Sequence, residues 1–324
     1  MPRPLSPSSD RPCNGRIPAL LVSAWVALLG AVLPAQAQIL IRDDAGNELS
    51  LPGPARRIVS LAPHITETLF AAGAGERIVG AVAHSDYPLA ARKLPVVGGY
   101  NNIDIEAVIA LRPDLVIAWQ SGNRNAHLDR ITALGIPVYV NEALSIEGVA
   151  RSLEAFGRLA GTDTSAREAA RHFRGRATEL AARYRDRPPV RMFYQIWNTP
   201  LMTINGEHLI SDVMRLCGGQ NVFADLPMLA PRISVEAVLA ADPEAIVASG
   251  MNATRPEWLD QWRRWPGLAA NAHGNLYFID PDLIQRHTPR ILDGASLLCD
   301  ILDAVREKRR QPSVSSREDS RAQR

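Results

Sequence analysis

Two similar α/β lobes, each built on a parallel sheet and joined by one long helix, are the fold that this sequence predicts. The first sign is a gapless internal repeat. Glu106-Ala-Val-Ile-Ala-Leu-Arg-Pro113-Asp-Leu-Val-Ile-Ala-Trp119 matches Glu236-Ala-Val-Leu-Ala-Ala-Asp-Pro243-Glu-Ala-Ile-Val-Ala-Ser249 at an offset of 130 residues, with six of fourteen positions identical. Four more differ only conservatively. Each copy reads as a short helix stopped by proline, then an apolar run that suits a buried parallel strand. The second sign is a βα alternation around the first copy, and the third is an unbroken helical segment between the copies. Paired lobes leave a cleft, a favoured place for a ligand.

Residues 1–37 read as a leader. Arg3, Arg11 and Arg16 precede an apolar run from Ile17 to Leu33, and Ala35-Gln36-Ala37 has the small-x-small pattern of a cleavage site. Cys13 lies upstream of the run, not after it, so it does not fit lipid attachment. Residues 38–163 form the first lobe. Its strand candidates are Ile58 to Leu61, Ile78 to Val82, Leu115 to Trp119 and Val138 to Val140. Its helices are expected after Ala62 up to Gly73, then over Ile105 to Leu111, His127 to Leu134 and Ile146 to Ala160.

Residues 164–187 read as the bridge. Ser165-x-x-Glu168 fits a capping box, Ala169, Phe173, Ala177, Leu180 and Tyr184 recur at helical spacing, and Pro188-Pro189 ends the run. Residues 188–305 form the second lobe, with strands at Arg191 to Ile196, Ala245 to Ser249 and Leu276 to Ile279. Helices are expected at Ser211 to Leu216, Ser234 to Ala240 and Arg290 to Val305. A tail over 306–324, rich in Arg, Lys and Ser, has little to bury and is expected to be disordered.

The composition is that of an ordinary globular protein, 46% hydrophobic and 22% charged with a formal charge of +2, which implies no nucleic-acid partner. No Gly-x-Ser-x-Gly, P-loop or dinucleotide fingerprint argues for catalysis. The seven histidines, His64, His84, His127, His172, His208, His273 and His287, show no metal-ligand spacing and are read as surface or packing residues. Without the leader, Cys217 and Cys299 remain, either bridged or separately buried.

The chain resembles the periplasmic substrate-binding proteins that serve ABC importers of cobalamin, haem and iron-siderophores, and within them the cobalamin-binding members most. The resemblance covers roughly Arg57 to Leu302. It is carried by Ser60-Leu-Ala-Pro-His-Ile-Thr-Glu67, Ser85-Asp-Tyr-Pro88, Glu106 with Arg-Pro-Asp-Leu-Val-Ile-Ala-Trp119, Cys217-Gly-Gly-Gln-Asn-Val-Phe223 and Pro289-Arg290. It implies two Rossmann-like lobes joined by a rigid helix, a periplasmic location, a disulfide between Cys217 and Cys299, and no enzymatic activity. It also implies docking of Glu106 and Glu236, one per lobe, on arginines of a two-fold permease in the inner membrane. Each glutamate also begins a helix, where negative charge is favoured in any case.

For the ligand, the resemblance places Trp119 as an aromatic wall, Tyr100 where a tryptophan stands in the cobalamin-binding members, and Asp282 with Arg286 at the ligand's edge. These last two are equally spaced for an ordinary i,i+4 ion pair. The chain departs from the pattern at His84, which replaces a tyrosine, at Ile196 and Met202, which replace phenylalanines, and at Ala230, which replaces a tryptophan. Trp197, beside Ile196, is a candidate to compensate. No resident cofactor is expected. The transported ligand implied is cobalamin or another corrinoid, with haem, held by His84 or Tyr100, and ferric siderophores as the alternatives.

Overall fold

The computed structural model of the chain describes residues 38–251 and 253–310. The expected leader, with Cys13, and the tail beyond Arg310 lie outside the described residues.

An antiparallel hairpin of β1 (Ile39–Arg42) and β2 (Glu48–Leu51), unforeseen in the sequence, opens the described chain. Then come β3 (Ile58–Ser60), α1 (Pro63–Ala71) and β4 (Ile78–Ala81), a two-stranded hairpin of β5 (Gly98–Gly99) and β6 (Asn102–Ile103), α2 (Ile105–Ala110), β7 (Leu115–Trp119), α3 (Asn125–Ala133), β8 (Val138–Asn141) and α4 (Ile146–Ala160). The parallel sheet has the order β4-β3-β7-β8. After the long helix α5 (Asp163–Tyr184) the pattern repeats: β9 (Val190–Gln195), α6 (Leu209–Leu216), β10 (Gly219–Asn221), α7 (Val235–Ala241), β11 (Ala245–Ala248), α8 (Ala269–Ala272), β12 (Leu276–Phe278), α9 (Pro281–Ile284) and α10 (Ile291–Arg310). The second parallel sheet has the order β10-β9-β11-β12, so each lobe places its strands as second, first, third, fourth.

The repeat seen in the sequence is therefore the α2–β7 unit and its counterpart α7–β11. Their local chemistry agrees in detail. Asp104 and Ser234 cap the two helices by accepting from Ala107 N and Ala237 N. Proline excludes the αR region for the residue before it, and Arg112 (φ 44°) and Asp242 (φ 39°) both turn through the left-handed region instead. The exposed carbonyls of each helix end are taken up by an arginine at the start of the neighbouring strand or just before it: Arg57 donates to Leu111 O at 2.6 Å and Arg112 O at 3.1 Å, and Arg191 to Asp242 O at 3.2 Å and to Ala241 O.

Both sheets are covered on both faces, as parallel sheets require. Ile58, Leu115, Ile117, Met192, Tyr194, Ala245 and Val247 point into one continuous core that also takes in Ala166, Ala170, Phe173, Leu180 and Tyr184 of α5. Val59, Val116 and Ala118 face a second core, and Phe193, Ile246 and Ala248 a third. The shared core makes α5 a stiff bridge. Its predicted capping box is not formed, because the helix starts earlier, at Asp163. There the hydroxyl of the N-cap Thr162 donates to Ala72 O at 2.8 Å, tying the bridge to α1.

A correction concerns the tail. Helix α10 continues to Arg310, and Arg306 is only 4% exposed. Its guanidinium donates to Pro188 O and Cys217 O, both at 2.7 Å, and pairs with Asp303. The basic composition concealed a buried capping arginine.

Cys217, at the end of α6, and Cys299, in α10, form a disulfide across 82 residues. Replacing both by serine is expected to destabilise the second lobe by about 3 kcal/mol. Denaturant unfolding with and without reductant measures this; coincident curves would refute it.

Candidate functional site

Ligands of α/β sheets bind beyond the carboxyl ends of the strands. In the first lobe that edge is organised by one residue. Asn123, 6% exposed, accepts from Trp119 N at 2.7 Å and donates to Leu61 O at 3.0 Å and Tyr100 O at 2.6 Å. Three separate loops are thus pinned together by one amide. Tyr100 and Trp119 accordingly meet at 5.6 Å, with Tyr100 42% exposed. The Trp119 indole donates to Glu142, whose other oxygen accepts from Ser121 N. The imidazole of His64, from the first turn of α1, stands edge-on to Trp119 at 5.0 Å and 87°. Neither ring nitrogen of His64 has a hydrogen-bond partner among the described residues.

The second lobe meets this edge through the segment after α9. His287 lies 5.6 Å from His64 and 5.4 Å from His208, all as ring centroids. The Nδ1 of His208 accepts from Ile210 N at 3.1 Å, which leaves its proton on Nε2. The Nδ1 of His287 is buried without a partner. Burial holds all three rings neutral: His208 is pushed down to about 3 and His287 to about 4. His64 is held well below the ordinary range by burial, then by His287 and Arg286. The reading of the histidines as surface or packing residues did not foresee that the fold brings these three, packed ring against ring, into one row across the seam. Among the described residues, no group of three His, Cys, Asp or Glu is placed to hold a metal ion.

Charged groups close the seam on either side. Arg286 donates to Asp86 at 2.8 Å, from the opposite lobe, and pairs with Asp282 at 2.9 Å. Burial works to raise the Asp86 carboxyl, but Arg286 offsets this and holds it below the ordinary range. Asp282 is raised, by burial first, against the pull of Arg286 and with the repulsion of Asp86 and Asp280 added. Deeper in, Arg290 grips Glu67 through two bonds at 2.7 and 2.6 Å, with its guanidinium 3.8 Å from the Tyr87 ring centre. The Glu67 side chain is 3% exposed, against 43% for Asp86. His64 and Glu67 are three apart on α1, and their partners His287 and Arg290 are also three apart. The Thr66 hydroxyl binds Ser60 at 2.8 Å and Ser85 at 3.1 Å, which fixes the Ser85-Asp86-Tyr87 loop against the same helix.

The remaining site candidates lie apart from this row. His84 is exposed, with φ 66°, beside a pocket of about 200 Å³, and makes no ring contact with Tyr100 or Trp119 among the described residues. Trp197, 39% exposed, and Met202 are bridged backbone to backbone at the end of β9, and the Trp197 indole donates to Thr199 O at 3.0 Å. Ile196 bonds Met202 O, and Ala230 is half-buried nearby in sequence to Pro231, whose carbonyl accepts from Thr203 N. Among the described residues, no ring contact joins Trp197 to the aromatics of the first lobe.

Glu106 and Glu236 occupy the same position, the second residue of α2 and of α7. Glu106 is 77% exposed and pairs loosely with Arg130 at 3.5 Å. Exposed pairs of this kind contribute little. The Glu236 carboxyl is held below the ordinary range by a backbone N–H, then by the Ser234 hydroxyl.

A family model described as periplasmic binding protein matches residues 58–283. The chain is similar to a vitamin B12-binding protein of Vibrio parahaemolyticus, with 35% identity over 257 residues that cover 79% of this chain and 92% of the other. It is similar in structure to the periplasmic vitamin B12 binding protein of Vibrio cholerae, with a TM-score of 0.72 and 34% identity over 80% of this chain and 99% of the other. A periplasmic haem-binding protein of Roseiflexus sp. RS-1 shares the fold at a TM-score of 0.69 and 21% identity, over 78% and 99% of the two chains.

Proposed function

The chain belongs to the periplasmic binding protein family, a family of binding proteins of transport systems rather than of enzymes, and from that premise we propose that it captures cobalamin or a related corrinoid in the cleft between its lobes and delivers it to an ABC importer of the inner membrane. One observation carries the ligand class. Exposed Tyr100 and half-buried Trp119 on one lobe are linked, through the ring contacts Trp119–His64 and His64–His287, to the segment of the other lobe that bears Asp282 and Arg286. A flat macrocycle with amide-bearing edges needs both an aromatic wall and charged hydrogen-bonding groups at its rim. In this proposal residues 1–37 are a cleaved signal peptide, Trp197 and Met202 contribute the rim of the second lobe, and His84 lines the entrance.

Titration of residues 38–324 with cyanocobalamin by calorimetry, with hemin and a ferric siderophore in parallel, tests the proposal. One-to-one binding of cyanocobalamin is expected. Absence of that binding, together with a Soret shift on adding hemin, would move the ligand to haem.

Docking follows from the repeat. Two equivalent exposed carboxylates on a pseudo-two-fold protein suit a two-fold permease through one charge pair per half. The double substitution Glu106→Ala, Glu236→Ala is expected to abolish ligand uptake in cells while leaving the Kd of the isolated protein within about threefold, as rim charges set orientation and on-rate. Unchanged uptake would defeat the docking assignment.

A further inference from the structure

Three of the six tryptophans stand within one short segment of the second lobe, Trp258 and Trp262 in the 3₁₀ helix Glu257–Arg264 and Trp265 just after it. Packing accounts for one of them. Trp262 is 4% exposed, its indole donates to Gln195 Oε1 at 2.7 Å, and its ring meets Phe193 edge-on at 5.7 Å. Trp258 and Trp265 are only half-buried, and with Thr199, Leu201 and Val235 they wall a pocket of about 140 Å³. The lining carries no charge. Its walls are fixed from behind. Gln195 donates on to Asn198 Oδ1 at 3.2 Å, Asn198 to Thr199 Oγ1 at 3.3 Å, and Asn271 holds the tryptophan segment through Trp265 O at 3.1 Å. An apolar cavity of about 150 Å³ takes up a planar group the size of benzene.

The charge beside the pocket decides which planar group. Val235, in its wall, is followed by Glu236, which forms no ion pair among the described residues, whereas its counterpart Glu106 already pairs with Arg130. An unpaired carboxylate next to indole faces fits a cation. Of the two common side-chain cations, the guanidinium is planar, the more weakly hydrated, and the one that stacks on aromatic rings. The segment's own Arg255 and Arg263 are both held by Asp260. We propose that this pocket seats an arginine of the permease, whose guanidinium lies against Trp258 and Trp265 while it pairs with Glu236, so that the second lobe is the stronger of the two docking points. The inference rests on the docking reading above and deepens it.

Nα-acetyl-arginine amide and Nα-acetyl-lysine amide, added to residues 38–324 with isotope-labelled indoles, test this on the wild-type protein by nuclear magnetic resonance. The indole N–H signals of Trp258 and Trp265, identified by their loss in Trp258→Phe and Trp265→Phe, are expected to move saturably with the arginine probe. The lysine probe is expected to bind at least about threefold more weakly. Signals that stay in place, or an equal movement of the Trp119 indole in the first lobe, overturn the proposal. In cells, uptake of cyanocobalamin is expected to fall at least about tenfold in Trp258→Leu with Trp265→Leu, and further in Glu236→Ala than in Glu106→Ala, while the Kd of the isolated variants for cyanocobalamin stays within about twofold. Uptake that falls in Glu236→Ala yet is unchanged in the tryptophan double variant overturns the pocket alone. Uptake unchanged in Glu106→Ala with Glu236→Ala overturns the docking reading itself, which is a different result.

Discussion

Lowering the pH from 7 to 5 is expected to destabilise the folded protein by about 4 kcal/mol through His208 and His287, with His64 adding to the loss in the same direction. The sign follows from where the protons go. In the unfolded chain each ring takes up a proton near a pKa of about 6.5. In the folded protein burial keeps His208 down to about 3 and His287 down to about 4, with His64 well below its ordinary range. Between about pH 6.5 and 4 the unfolded state therefore binds more protons, and each histidine removes about 1.4 kcal/mol of stability per pH unit. The contribution is fully present above the unfolded pKa and is lost as pH falls toward the folded values. A loss of that size is a large fraction of the stability of many domains, about 5–15 kcal/mol. Denaturant midpoints at pH 7, 6 and 5 measure it, and a flat profile over that range would show that the rings are not neutral and buried. His287→Ala should reduce the slope, since it removes one of the titrating groups of the row.

The architecture was legible because it is periodic and repeated. The α2–β7 and α7–β11 units announce themselves in sequence by a shared helix, proline and apolar strand, and the fold preserves the match down to the left-handed Arg112 and Asp242. Aromatic and charged site candidates were found in part: Tyr100 meets Trp119, and Asp282 pairs with Arg286. What could not be read was every relation between the lobes. His64 and His287 are 223 positions apart, and nothing local marks either as a partner of the other. The same holds for Asp86 with Arg286. Asn123 was missed for another reason: it sits in a polar loop, and its importance comes from accepting from nearby Trp119 N while donating to the distant carbonyls of Leu61 and Tyr100. One signal was present and unused. Glu67 and Arg290 both lie in the segments that carry the family resemblance, and a carboxylate and a guanidinium singled out in two different lobes are candidates to meet.

Their meeting has the second large consequence. Glu67→Ala is expected to destabilise the protein by about 3–5 kcal/mol, because it leaves the Arg290 guanidinium partly buried without its counter-ion. Removing both partners, as Glu67→Leu with Arg290→Met, is expected to cost much less, since a buried pair replaced by apolar groups of similar size is often near neutral. The comparison matters more than either value. If the double variant is as damaging as Glu67→Ala alone, the pair is not the source of the effect. The two ion pairs across the seam also differ in a way that bears on opening. The Glu67 carboxylate is 3% exposed and doubly bonded, whereas the Asp86 side chain is 43% exposed and shares Arg286 with Asp282. An exposed contact that already has a competing carboxylate separates at little cost, while a buried bidentate one does not. The lobes should therefore part at Asp86–Arg286 and pivot near Glu67–Arg290, within the small range that the stiff α5 bridge permits. Asp86→Asn should then leave stability within about 1 kcal/mol of wild type, in contrast to Glu67→Ala.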